Sequence, residues 1–178
     1  KLIQSGNLTS LILWGPPGSG KTTLARLIAV YTKSHFVQFS AVVSGVEEVR
    51  RTIREARERL KLHSRRTILF VDEIHRFNKA QQDAFLPFVE DGTIILVGAT
   101  TENPAFEVNA PLISRSSVYV LQPLEDKDIE TILTRAHTRY YPKLKIVPAA
   151  HAHMVKSATG DARAVLNFLE LVAATARS

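Results

Sequence analysis

Residues 15–22 read Gly-Pro-Pro-Gly-Ser-Gly-Lys-Thr, and few octapeptides restrict a fold so tightly. They satisfy the spacing G-x-x-x-x-G-K-[ST], in which a glycine-rich loop turns its backbone N–H groups inward around phosphate oxygens. Such a loop sits between a strand and the N-terminus of a helix, whose positive dipole end adds to the attraction. The context is present: the apolar run Leu11-Ile12-Leu13-Trp14 precedes the loop, and a helix-period segment over 22–29 follows it. Gly15, Pro16, Pro17, Gly18, Ser19 and Gly20 are then the expected phosphate cradle, with Thr23 completing the contact set. Lys21 is placed to reach the β- and γ-phosphates and Thr22 to offer its hydroxyl to Mg²⁺. A chain built around this unit is expected to form a parallel α/β sheet.

A phosphate loop implies binding; turnover needs acid groups as well. The run Thr67-Ile68-Leu69-Phe70-Val71 is continuously apolar, as expected of a parallel strand buried on both faces, and it ends in Asp72-Glu73. Carboxylates at the C-terminal mouth of such a strand face the crevice where open α/β sheets take ligands. Asp72 is the expected holder of Mg²⁺, and Glu73 the group that polarises an attacking water.

The remaining pattern alternates strand and helix. Strands are expected near 11–14, 36–40, 67–72, 93–99 and 117–121, and helices near 21–33, 46–62, 79–90 and 110–114. After Pro123 the strand signals stop, and 127–140, 148–157 and 161–175 carry helix-period apolar residues separated by Pro142 and Gly160. The expected architecture is a five-stranded nucleotide-binding domain over residues 1–123 and a small all-α lid over 124–178. With 178 residues there is room for one α/β domain and a small appendage. The chain has no cysteine, which excludes disulfides and thiolate metal sites, and no apolar run approaches the length of a membrane span. The histidines lack metal-ligand spacing, so no zinc site is expected. A net charge of +6 favours polyanionic partners.

At this point the residues resemble a known family. The phosphate loop, the strand ending Asp72-Glu73 and the helical tail are together similar to a P-loop AAA+ ATPase of the clamp-loader clade. The resemblance is closer still to the replication-associated recombination protein A and Werner helicase-interacting protein family. It is carried by Asp72-Glu73-Ile74-His75-Arg76-Phe77-Asn78-Lys79, by Gln81-Gln82-Asp83 and by Gly98-Ala99-Thr100-Thr101-Glu102-Asn103-Pro104. It implies an Mg²⁺-dependent ATP hydrolase acting on DNA in replication-fork maintenance, recombination and repair, with ATP hydrolysed between subunits of a homo-oligomer. Gapped, forked or single-stranded DNA, bound without sequence preference, and proteins such as single-strand-binding protein are the implied partners. The implied location is cytoplasmic and nucleoid-associated in a bacterium, or nuclear in a eukaryote, with no membrane association.

The same resemblance implies roles for further residues. Thr100, or its neighbours Thr101 and Asn103, takes the sensor position at the end of the fourth strand, where a short polar group hydrogen-bonds the γ-phosphate or orients the lytic water. Ser114-Arg115 is similar to the Ser-Arg motif that delivers an arginine to the neighbouring subunit's ATP site. Gly160-Asp161-Ala162-Arg163 looks like the second sensor motif, with Arg163 turned toward nucleotide and Asp161 as a helix N-cap. Family members carry an adenine-holding segment before the stretch matched here and an oligomerisation region after it, so these residues are expected to be an ATPase core. An ATP-gated assembly module with little turnover is the alternative, and a P-loop kinase of small molecules a third.

Between Glu47 and Arg66 the cations outnumber the acids. On a helix, Arg50, Arg54, Arg57 and Lys61 share one face. Two readings stand side by side: a stripe that tracks DNA phosphates, or a solvated face compensated by pairs such as Glu47–Arg51 and Arg54–Glu58.

Overall fold

The computed structural model describes residues 8–40 and 46–176. Five strands, β1 (Ser10–Trp14), β2 (His35–Ser40), β3 (Thr67–Asp72), β4 (Ile94–Thr100) and β5 (Ser116–Val120), form one sheet in the order β2-β3-β4-β1-β5. Every pairing in it is parallel. The central strands β3 and β4 are buried on both faces, which is why they read as uninterrupted apolar runs. Helices α1 (Lys21–Tyr31) and α2 (Val46–His63) follow β1 and β2. The inner face of α2 turns Val49, Ile53 and Ala56 into a core shared with Ile12, Leu69, Val71, Ile74, Leu96 and Leu112, leaving Arg50, Arg51, Arg54 and Arg57 outside. That separation is what an amphipathic helix on a sheet requires.

Where one helix is expected over 79–90, the chain forms two: α3 (Lys79–Asp83) and α4 (Leu86–Glu90). Pro87 explains the break, because it has no N–H to return to the carbonyl four residues earlier and its ring crowds that carbonyl. Phe85, fully buried at the junction, packs edge-on against Phe77 with centroids 5.8 Å apart. Two short elements have no counterpart in the sequence pattern: a 3₁₀ turn at Ile74–Arg76 and α5 (Pro104–Glu107). Helix α6 (Ala110–Ser114) then leads into β5.

The chain divides into two compact units. One runs through Gly15 and resumes over Lys21–Val120; the other holds Pro16–Gly20 and everything from Leu121. The second unit contains α7 (Asp126–Tyr140), α8 (Pro148–Ser157) and α9 (Ala162–Thr175). Its core is Ile129, Leu133, Met154, Val155, Val165 and Leu169. Asp161 caps α9 by accepting hydrogen bonds from the N–H groups of Arg163 and Ala164, at 2.7 and 3.1 Å. Among the described residues, no helix is long and apolar enough to cross a membrane.

Candidate nucleotide-binding site

The sheet register brings Gly15, Asp72 and Thr100 to the C-terminal ends of neighbouring strands. Trp14, the last residue of β1, lies beside Thr100, the last of β4, and the Gly15 N–H donates to the Thr100 carbonyl at 3.1 Å. β3 flanks β4 on the other side, so Asp72 ends two strands from Gly15, where the phosphate loop begins, about 10 Å away at the usual strand spacing. Lys21 opens α1 and is buried, its Nζ donating to the Gly15 carbonyl at 2.8 Å. In the second unit, Gly18 (φ +67°) packs on the start of α9 so closely that a Cβ would overlap the Asp161 carboxylate far inside van der Waals contact. Gly20 (φ +89°) faces open space where a Cβ would otherwise stand. Ser19 Oγ donates to the Pro16 carbonyl and shapes the loop itself.

Thr22 and Asp72 are half-buried and supply a hydroxyl and a carboxylate. Oxygen donors of this kind suit hard divalent cations such as Mg²⁺, Ca²⁺ and Mn²⁺. No side chain among the described residues pairs with Asp72.

Glu73 adopts left-handed backbone angles (φ 53°, ψ 48°), uncommon for a residue with a Cβ. The turn separates its side chain from that of Asp72 and starts the 3₁₀ turn, held by the Arg76 N–H to the Glu73 carbonyl at 2.8 Å. Ile74, fully buried, anchors that turn in the core, and the turn carries His75 back over Glu73. His75 Nε2 lies 3.3 Å from Glu73 Oε2, and His75 Nδ1 lies 2.9 Å from Thr100 Oγ1. Thr100 has no exposed surface, and its hydroxyl also accepts from the Glu102 N–H at 2.9 Å. The sequence pattern does not reveal this chain of contacts, since it joins residues far apart in sequence. Another of the expected sensor residues, Asn103, caps α5 by accepting from the Ala105 N–H.

Arg115 stands elsewhere. It precedes β5, whose register pairs Ser116 with Ser10 and Val120 with Trp14. It therefore sits at the far end of the strand from Gly15, about 13 Å of strand away. There its guanidinium pairs with Glu90 at 2.6 Å and donates to Ser114 Oγ and the Pro111 carbonyl. Arg163, in the second unit, is exposed in the first turn of α9. Gln82, a residue to which the sequence alone assigns no role, is almost wholly buried and uses its entire amide. It donates to the Phe77 and Glu107 carbonyls, both at 3.0 Å, and accepts from the Asn109 N–H at 2.8 Å.

On α2 the cations Arg50, Arg54, Arg57 and Lys61 are all exposed. Arg57 is committed to Asp91 at 3.3 Å and lies over the Phe88 ring. Among the described residues, no ion pair joins Arg50, Arg54 or Lys61 to a carboxylate, and the compensating pairs Glu47–Arg51 and Arg54–Glu58 are not formed.

A comparison with protein families matches residues 11–124 to the ATPase family associated with various cellular activities, AAA. The chain belongs to the AAA ATPase family. AAA relatives include replication-associated recombination protein A from Escherichia coli K12, 53% identical over 97% of this chain, and that from Coxiella burnetii, 51% identical over 97%. ATPase WRNIP1 of Dictyostelium discoideum is 43% identical over 96% of the chain. The chain spans about 40% of the length of the two bacterial relatives and 20% of the third. Among solved structures, the RuvB Holliday junction branch migration motor of Thermotoga maritima aligns with a TM-score of 0.72 at 30% identity, covering 93% of this chain and 55% of that one. The family, and its replication-associated recombination branch, are those that the residue motifs imply.

Proposed function

We propose that this AAA domain is the Mg²⁺-dependent ATPase core of a DNA-acting assembly that works at replication forks and recombination intermediates. The observation that carries the reading is the meeting of Gly15, Lys21, Asp72, Glu73 and Thr100 at the mouths of three neighbouring strands. In the proposed site Gly15–Gly20 and Thr23 surround the phosphates, with Pro16, Pro17 and Ser19 shaping the loop. Lys21 leaves the Gly15 carbonyl for the β- and γ-phosphate oxygens, which offer its charge a better partner than a neutral carbonyl. Thr22 and Asp72 hold Mg²⁺, which when bound neutralises phosphate charge. Glu73 accepts the proton of the attacking water.

Arg115 cannot serve its own site from the far end of β5, and the reading therefore gives it to a neighbouring copy, as an arginine supplied in trans. Arg163 and Asn103 complete the nucleotide contacts, Arg163 from a lid formed by the C-terminal helices. Arg50, Arg54 and Lys61 on α2, without carboxylate partners among the described residues, favour the phosphate-tracking face over the self-compensated one, and the names of the relatives point the same way. Any such contact is to backbone and insensitive to sequence.

Glu73→Gln in the full-length protein is the test. Loss of the base lowers turnover on the order of 10²–10⁴-fold while ATP stays bound. Turnover within a factor of about two of the parent's would remove Glu73 from that role.

A further inference from the structure

The expected sensor residue at the end of β4 has a geometry that does not suit direct contact with a phosphate. Thr100 is completely buried. Its hydroxyl is already engaged by the Glu102 N–H at 2.9 Å and by His75 Nδ1 at 2.9 Å, with the Glu102 carbonyl at 3.2 Å. The opposite nitrogen of the same imidazole lies 3.3 Å from the Glu73 carboxylate. We propose that His75 is a positioning residue, relaying the orientation of the buried Thr100 hydroxyl to the Glu73 carboxylate, so that the end of β4 acts on the catalytic acid through an imidazole. The inference rests on the reading of Glu73 as the base.

Counting protons gives the relay a direction. The Thr100 hydroxyl has one hydrogen, and two acceptors compete for it: His75 Nδ1 and the Glu102 carbonyl, the former closer. When it goes to Nδ1, a neutral His75 carries its own proton on Nε2, facing Glu73. When it goes to the Glu102 carbonyl, a neutral His75 must place its proton on Nδ1 and turn a bare nitrogen lone pair toward a carboxylate, which is repulsive. The first arrangement gives both imidazole nitrogens a compatible partner and leaves only the more distant Glu102 carbonyl without the hydroxyl hydrogen. The 3.3 Å separation is longer than the 2.7–2.9 Å of a tight charge-assisted bond, so His75 restrains one Glu73 oxygen and leaves the other for water. Glu73 needs such a restraint, because its side chain is one-third exposed and a solvated carboxylate samples several rotamers. The 3₁₀ turn anchored by Ile74 fixes the imidazole rigidly enough to supply it.

Two substitutions of the histidine separate the halves of the relay. Gln places an amide N–H near the position of Nε2 and keeps the contact with Glu73, whereas Asn places polar atoms near Nδ1 and keeps only Thr100. The assay is steady-state ATP turnover by the full-length protein, alongside equilibrium binding of a fluorescent ATP analogue. Expected are kcat losses on the order of 10–100-fold for H75A, H75N and T100V, the scale of a misplaced catalytic group, with analogue affinity changed less than about twofold. H75Q retains much of the activity and becomes indifferent to T100V. H75A and T100V combined are no worse than H75A alone, because they break one path. Unchanged kcat in H75A, multiplicative losses in the double variant, or weakened analogue binding in T100V would each overturn the relay. If H75A fails to fold, the contrast between H75Q and H75N decides in its place. The underlying reading fails separately: if Glu73→Gln turns over normally, Glu73 is not the base, whereas a dead Glu73→Gln beside silent H75A and T100V sinks only the relay.

Discussion

Removing the guanidinium of Arg115 is the perturbation whose consequences the structure bounds on both sides. Within its own subunit Arg115 pairs with Glu90, but the two side chains are 43% and 48% exposed. An ion pair that open to water contributes about 0–1 kcal/mol, so Arg115→Ala leaves the fold nearly as stable as before. The same small figure means that little opposes release of the arginine toward a phosphate. An arginine supplied in trans lowers the hydrolytic barrier by about 4–7 kcal/mol, the equivalent of 10³–10⁵ in rate. On the trans reading, stabilisation of the transferring phosphoryl group outweighs the pairing with Glu90 several-fold, and the pair within the subunit would be a resting place for the side chain. Arg115→Ala in the full-length protein therefore keeps its melting temperature and its affinity for a fluorescent ATP analogue, and loses at least about 10³-fold in kcat. Mixing it with a Lys21→Ala variant sharpens the assay, since the latter binds nucleotide poorly but carries an intact Arg115. In a randomly mixed 1:1 assembly about one quarter of the head-to-tail interfaces combine a good phosphate loop with a good arginine, and turnover returns to roughly that fraction of the parent's. No recovery in mixed assemblies whose formation has been verified, or a wild-type kcat in Arg115→Ala, would refute the trans assignment.

Two further outcomes follow from side chains away from the phosphates. Gln82→Leu conserves volume but abolishes three hydrogen bonds, one buried and two part-buried, and at about 1 kcal/mol each it lowers unfolding stability by about 3 kcal/mol; a urea midpoint shift worth less than about 1 kcal/mol would show the clamp to be dispensable. His35 has its pKa held below the usual 6.5 by burial first and then by the charges of Arg59 and Arg65, with Glu55 opposing. The unfolded chain thus takes up this proton more readily than the folded one, so the His35 contribution is intact above 6.5 and is lost as pH falls through the lower folded value. His35→Gln flattens that part of the acid limb of a stability–pH curve; an unchanged limb would contradict the assignment.

How much of this is legible in the sequence depends on whether the cause is local. β3 and β4 declare themselves because burial on both faces leaves no polar position over Ile68–Val71 or Ile94–Val97. The phosphate loop and Asp72-Glu73 are legible because their chemistry needs fixed residue types at fixed spacing. The helix expected over 79–90 fails on one residue, Pro87, whose missing N–H the apolar periodicity outweighs. The left-handed turn at Glu73 is hidden, because nothing in an Asp-Glu-Ile-His string requires a positive φ; tertiary anchoring of Ile74 imposes it. His75, Gln82 and the Arg115–Glu90 pair are hidden for a related reason. Each joins segments that only the parallel sheet brings together, so the residue types are visible while their partners are not.

The proposed function is that of a DNA-responsive ATPase whose sites are completed by neighbouring copies. The most direct measurement is steady-state ATP hydrolysis by the full-length protein, with and without gapped or forked DNA, across a range of protein concentrations. Turnover is expected to rise more steeply than linearly with concentration and to increase when DNA is added. Turnover per subunit that is constant at all concentrations and indifferent to DNA would contradict it, leaving a nucleotide site that serves assembly alone.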